Sequence, residues 1–199
     1  MNIIERVQKI LFSPKEEWQS IEQETTPVAQ LVTTYLIPLA LIPAICSFIG
    51  YGLIGYSTIL GHIGGTMTFG IVRAVLAFLS PVLGAFLSAL VISLLAPSFG
   101  SLKDFGKAMQ LVVYSFTPML VAGVFYILPS LGFIAALAGI YGLYIMYLGF
   151  TPLLKTPADK LVSYFVVSLI AIIVVYVVIG LILWAITAPF LITGAMMVH

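Results

Sequence analysis

Five stretches of the chain stay apolar for the roughly 20 residues needed to cross about 30 Å of hydrocarbon. They cover roughly 28–54, 74–96, 108–128, 131–150 and 161–189. Each predicts a transmembrane helix, because an open strand leaves its backbone unpaired in lipid. The fifth contains the run IAIIVVYVVIGLILW, which does not alternate polar with apolar as a barrel strand would. Only Pro129 and Ser130 separate the third and fourth stretches, so these predict a tight antiparallel hairpin. The stretch 57–70, with Gly61, Gly64, Gly65 and Gly70, is too broken for a span and predicts a loop or a short re-entrant segment.

Ahead of the first stretch the pattern becomes amphipathic. Ile3, Ile4, Val7, Ile10 and Leu11 recur at helical spacing, with Glu5, Arg6, Gln8 and Lys9 on the other face. Ser13-Pro14-Lys15-Glu16 reads as the start of a second short helix, with Ser13 as N-cap, Pro14 as first helical residue and Glu16 as reciprocal acceptor. That helix carries Trp18 and Ile21, and Thr26-Pro27 restarts the chain. An amphipathic arm with a Trp beside a span is expected to lie flat on the leaflet; the other reading is a docking helix for a cytosolic partner. The expected organisation is an arm, 1–27, followed by a five-helix transmembrane region, 28–199. The N-terminus does not read as a secretory signal, since charges interrupt its apolar residues.

Composition excludes the soluble classes. Only 8% of the 199 residues are charged, 62% are hydrophobic, and mean hydropathy is +1.21. A soluble domain is nearer a quarter charged. The fold class is therefore an all-α, polytopic integral membrane protein. The formal charge of +1 supplies no field for nucleic acid or an acidic partner. Seven basic residues (Arg6, Lys9, Lys15, Lys103, Lys107, Lys155 and Lys160) fall on one side of a five-span chain, and Arg73 alone falls on the other. The positive-inside rule then predicts a cytoplasmic N-terminus and an external C-terminus.

Candidate chemistry is sparse. Gly50-Tyr51-Gly52-Leu53-Ile54-Gly55 matches a dinucleotide fingerprint, but it ends an apolar helix and the next acid is Asp104. His62 is the one internal His, and no acid near it would orient it as a base for Ser57. Asp104 and Asp159 each stand three residues after a Ser or Thr ahead of an apolar run, as helix-start residues do. The single Cys46 lies in an apolar run. The expectation is no catalytic residue, no cofactor and no metal. The spans carry no ionisable residue away from their ends, which counts against ion-coupled transport.

What remains is packing chemistry. Pro38, Pro43, Pro81 and Pro118 should kink the first three helices. Ser80, Gly84 and Ser88 repeat every four residues, as do Ala85, Ala89 and Ser93. Such a small-residue face suits close helix packing, within one chain or at a homodimer seam. Tyr114, Tyr141, Tyr144 and Tyr147 suit hydrogen bonds between helices or an interface.

The chain resembles a known family. RVQKILFSPKEEWQSIEQE before a proline-kinked span, YSFTPMLVAGVFYILP, GIYGLYIMYLGF and PADKLVSY are similar to bacterial members of the Yip family, named for Ypt/Rab-interacting membrane proteins. The most specific parts are Tyr114-Ser115-Phe116-Thr117-Pro118 and Tyr141-Gly142-Leu143-Tyr144. The resemblance implies a cytoplasmic N-terminus, five spans and, for a bacterial-type member, residence in the cytoplasmic (inner) membrane. Eukaryotic members bind Rab GTPases, but their acidic-aromatic-glycine motif ahead of the first span does not stand here.

The expected function is therefore non-enzymatic, organising membrane lipid or partner proteins. The alternative is a small-solute or lipid transport protein, meaning a channel, permease or scramblase. Expected partners are membrane lipids, a second copy of the chain, or an unidentified membrane or cytosolic protein, with no nucleic acid. Helix-packing or partner candidates are Ser80, Gly84, Ser88, Pro118, Tyr141, Gly142 and Tyr144.

Overall fold

Each apolar stretch becomes one long helical span in the computed structural model, which describes residues 2–58 and 61–196. The spans are Val28–Ile54, Met67–Phe99, Phe105–Ile127, Pro129–Leu154 and Leu161–Pro189, called first to fifth below. Two short helices precede them, α1 (Ile3–Phe12) and α2 (Pro14–Gln23). Between the first and second spans stand two short strands, β1 (Tyr56–Thr58) and β2 (Gly61–Ile63), paired antiparallel with Ser57 opposite His62.

Prolines shape the first span by widening it. Pro38 has no N–H to return to the preceding turn. The helix answers with a π stretch over Val32–Leu36, where Ile37 N–H reaches back to the Val32 carbonyl. A second π stretch, Phe48–Ile54, ends the span, and Gly55 follows at φ 88°, a conformation that favours glycine. The fingerprint-like glycines lie here. A Cβ on Gly70 of the second span would stand 2.5 Å from the Gly52 Cα, so backbone approaches backbone and no ligand loop is built.

The second span begins earlier than the pattern suggests. Thr66 caps it, accepting from Phe69 N–H at 3.3 Å, and Gly70 and Arg73 are already helical. The predicted loop over 57–70 is therefore corrected to the strand pair plus the first turn of a helix. The glycines hid that turn because they lower propensity without preventing packing.

The third span is the central one, with every residue from Ala108 to Ser115 buried. It breaks at Phe116, whose N–H is shared between the Val112 and Val113 carbonyls at 3.0 and 3.3 Å, and Pro118 opens the next helical piece. The predicted caps need correction here. Asp104 itself is the N-cap, accepting from Lys107 N–H at 2.9 Å, while Ser101 donates instead to the Thr156 hydroxyl at 3.0 Å. Ser13 occupies the cap position of α2 without a capping hydrogen bond from its side chain. The hairpin between third and fourth spans passes through extended Leu128, flanked by 3-10 turns.

Candidate functional site

The arm packs against the fourth span. Part of its apolar surface is spent inside the protein, where Ile10, Trp18 and Ile21 are fully buried, while Ile4 and Phe12 stay exposed. The Trp18 indole N–H donates to the Ile145 carbonyl of the fourth span at 3.0 Å. Gly149, one turn further on, makes the room: a Cβ there would come within 2.8 Å of the indole. Where the pattern suggests a helix flat on the leaflet, the structure packs the arm on the fourth span, because the indole N–H and the buried Trp18 ring fit the Ile145 carbonyl and the Gly149 gap there.

Arg6 is the second anchor. Its guanidinium pairs with Glu17 at 2.5 Å and also with Glu24, and the Arg6 and Glu17 side chains are almost wholly enclosed. Burial alone would lower the Arg6 pKa, but the hydrogen bond to Glu24 and the nearby carboxylates outweigh it, so the net shift is upward and the group stays charged. The α2 C-terminus is held from the third span. Lys107 Nζ donates to the carbonyls of Ile21, Glu22 and Glu24 at 3.2, 2.8 and 2.8 Å, placing a cation where the helix dipole is negative. Glu22 pairs with Lys155 at the end of the fourth span.

From this ion cluster a line of rings leads inward. The Arg6 guanidinium carbon stands 5.3 Å from the Tyr114 ring centroid. Tyr114 meets Trp18 and Tyr35 edge-on, at 6.2 and 4.9 Å. The Tyr35 hydroxyl shares a 2.8 Å hydrogen bond with that of Thr117, beside Pro118 at the third-span break. Arm, first span and third span are thus joined at one point. A polar cleft lined by Arg6, Glu24, Gln30, Thr34, Tyr35 and Tyr114 opens beside it.

The residues singled out in the sequence fall at three places. Pro118 and Gly142 belong to the seam between third and fourth spans, whereas Tyr141 and Tyr144 lie exposed on the fourth span. A Cβ on Gly142 would stand 2.5 Å from the Ser115 carbonyl oxygen. Tyr141 donates its hydroxyl to the Leu11 carbonyl of α1 at 2.7 Å and stacks on Tyr144, which is exposed. Ser80, Gly84 and Ser88 lie apart, on the second span facing the fifth. Tyr176 fills the groove over Gly84, its ring carbon 2.5 Å from where a Cβ would be, so this chain occupies its own groove.

Several residues of the site were not legible in advance. Arg6, Glu17, Lys107 and Gly149 gave no spacing signal, since their partners lie far off in the chain. Tyr176 gave a weak one, as the one aromatic in its Ile/Val run. Among the described residues no three of His, Cys, Asp and Glu gather to hold a metal ion.

Residues 9–182 match the Yip1 domain family. The chain is 30% identical over 160 residues to the inner membrane protein YohC of Escherichia coli strain K12, covering 77% of this chain and 82% of that protein. The YohC of strain O6:H1 gives the same figures. No solved structure matches.

Proposed function

We propose that this chain, which belongs to the Yip1 domain family, works without catalysis by organising the lipid around it. In this reading it sits in the bacterial inner membrane with its lysine-rich end and arm cytoplasmic. The relative's description as an inner membrane protein and the basic asymmetry support that placement.

One observation carries the proposal: the arm covers the side of the fourth span with a polar surface. Tyr141, which holds Leu11, lies about 20 Å along the helix from Leu154 at about 1.5 Å per residue. Over that height the exposed residues of the arm include Glu5, Lys9, Lys15, Glu16 and Gln19, with Ile4 and Phe12 its large exposed apolar side chains. The apolar surface left on this side runs from Tyr141 to Pro129, about 18 Å against a hydrocarbon core of about 30 Å. On the fifth span Val162, Val166, Ile170, Ile173, Val177, Leu181 and Trp184 are exposed along its length. The apolar belt is therefore lopsided. A bilayer meeting a belt that is too short thins, and its headgroups descend toward the polar wall. Exposed Phe12 at the tip, level with Tyr141 and Tyr144, marks where the acyl region begins.

The test compares wild type with a Lys9→Leu, Lys15→Leu, Gln19→Leu variant in phosphatidylcholine vesicles, reading bilayer thickness by small-angle X-ray scattering. Thinning by the wild type that the variant lacks is the expected result; equal thickness in both sinks the reading. The same vesicles, loaded with a trapped solute and a fluorescent lipid, separate the transport alternative. Flux above protein-free vesicles would favour transport, and its absence favours the organiser.

A further inference from the structure

At the end of the bundle away from the lysines, a cleft of about 250 Å³ lies between the first, second, third and fifth spans. Its polar lining is Ser47, Arg73, Ser80, Tyr126 and Tyr176, and its deep end is closed by Pro43, Pro81 and Leu120. Arg73 is the one charged side chain there. No Asp or Glu lies in the sequence between Glu24 and Asp104, and the two acids beyond belong to the lysine-rich end, so no carboxylate side chain shares its side of the membrane. The Arg73 Nε is buried with no hydrogen-bond partner, and so is the Tyr176 hydroxyl. The back of the guanidinium rests on the Tyr51 ring, its central carbon 4.4 Å from the centroid, which fixes the group without neutralising it.

Depth then selects a ligand. Arg73 lies about 9 Å along the second span from Met67, and Pro81 about 21 Å. The charge is therefore near the edge of the hydrocarbon and the apolar floor is near its middle. A guanidinium presents a planar fork of donors that matches phosphate oxygens. The floor of the space below is proline and leucine, which offer water few partners. A phosphate at the mouth continuing into an acyl chain satisfies both ends.

We propose that this cleft is a binding site for a phosphate-bearing lipid of the leaflet opposite the lysine-rich end, with the phosphate on Arg73 and part of one chain on the floor beside Pro81. The inference is independent of the arm and of the thinning reading. Tyr176 links the cleft to Gly84, so an occupied cleft also fixes the ring that joins the second and fifth spans.

The test uses the full chain in neutral detergent, reading thermal stability against added short-chain phosphatidylglycerol, a diacylglycerol of the same chains, and inorganic phosphate. Saturable stabilisation by phosphatidylglycerol alone is expected. Arg73→Gln should weaken its apparent affinity roughly tenfold or more, and Arg73→Lys should keep part of it. Ala77→Leu, which fills the cleft and leaves the charge, should weaken it as well, so the result does not hang on one variant folding. Equal stabilisation of wild type, Arg73→Gln and Ala77→Leu overturns the site. Stabilisation of the wild type by inorganic phosphate to the same extent overturns the lipid and leaves a small-anion site.

Discussion

Gly142 of the fourth span lies against the Ser115 carbonyl of the third so closely that a Cβ would stand 2.5 Å from that oxygen. These two residues sit in the two segments that mark the chain as Yip-like, YSFTP and YGLY. The contact explains both. Pro118 has no N–H and the helix is already broken at Phe116, so the third span has an irregular backbone in its middle. Only a neighbour without a side chain can press against it.

Gly142→Ala should therefore cost about 1–3 kcal/mol, the range for overpacking a tight contact. Gly180→Ala is the control. Nothing lies within 4 Å of its Cβ, and Ala is the better helix former. Thermal unfolding in detergent, followed by circular dichroism, reads both. A Gly142→Ala protein as stable as wild type would mean that the seam is looser than described.

Gly84→Leu should drive Tyr176 out of its groove at a similar cost, about 1–3 kcal/mol. Adding Tyr176→Ala should recover part of the loss, because the two residues share one contact. Light scattering on the same samples gives oligomer size. A double variant no better than the sum of the singles would show that the groove is filled by something else, and a wild-type dimer that Gly84→Leu turns into a folded monomer would show a second copy there.

The arm makes a sharper case. Arg6→Met leaves the Glu17 carboxylate buried with its partner gone, which should cost about 3–5 kcal/mol. Arg6→Met with Glu17→Leu and Glu24→Gln should restore much of it, since no unpaired charge then remains. Trp18 provides an independent readout. In a protein whose other tryptophan, Trp184, is replaced by Phe, Trp18 emission should be blue-shifted and resist quenching by a soluble ion. Strong quenching would mean that the arm is not docked.

Orientation is checked by labelling. With Cys46 replaced, single cysteines at Lys103 and Gly64 are exposed in turn to an impermeant maleimide outside intact cells. The position-64 thiol should react and the position-103 thiol should not; the reverse would turn the chain over.

Length and apolar runs determined the number of spans and their class, and the basic count predicts an orientation, because these depend on transfer between water and lipid, which acts residue by residue. They also marked the small residues on the second span. They left open what each helix touches. Trp18 meeting Ile145, Arg6 meeting Glu17 and Glu24, and Tyr176 meeting Gly84 join positions far apart in the chain. Inside lipid no hydrophobic drive tells a helix which face to bury, so shape and hydrogen bonding decide, and both exist only once the helices are side by side. The arm shows the difference most plainly. Its amphipathic pattern predicts a place on the leaflet, with a docking helix for a cytosolic partner as the other reading. Only the tertiary structure supplies the Ile145 carbonyl, the Gly149 gap and the Lys107 ammonium that place it on the fourth span.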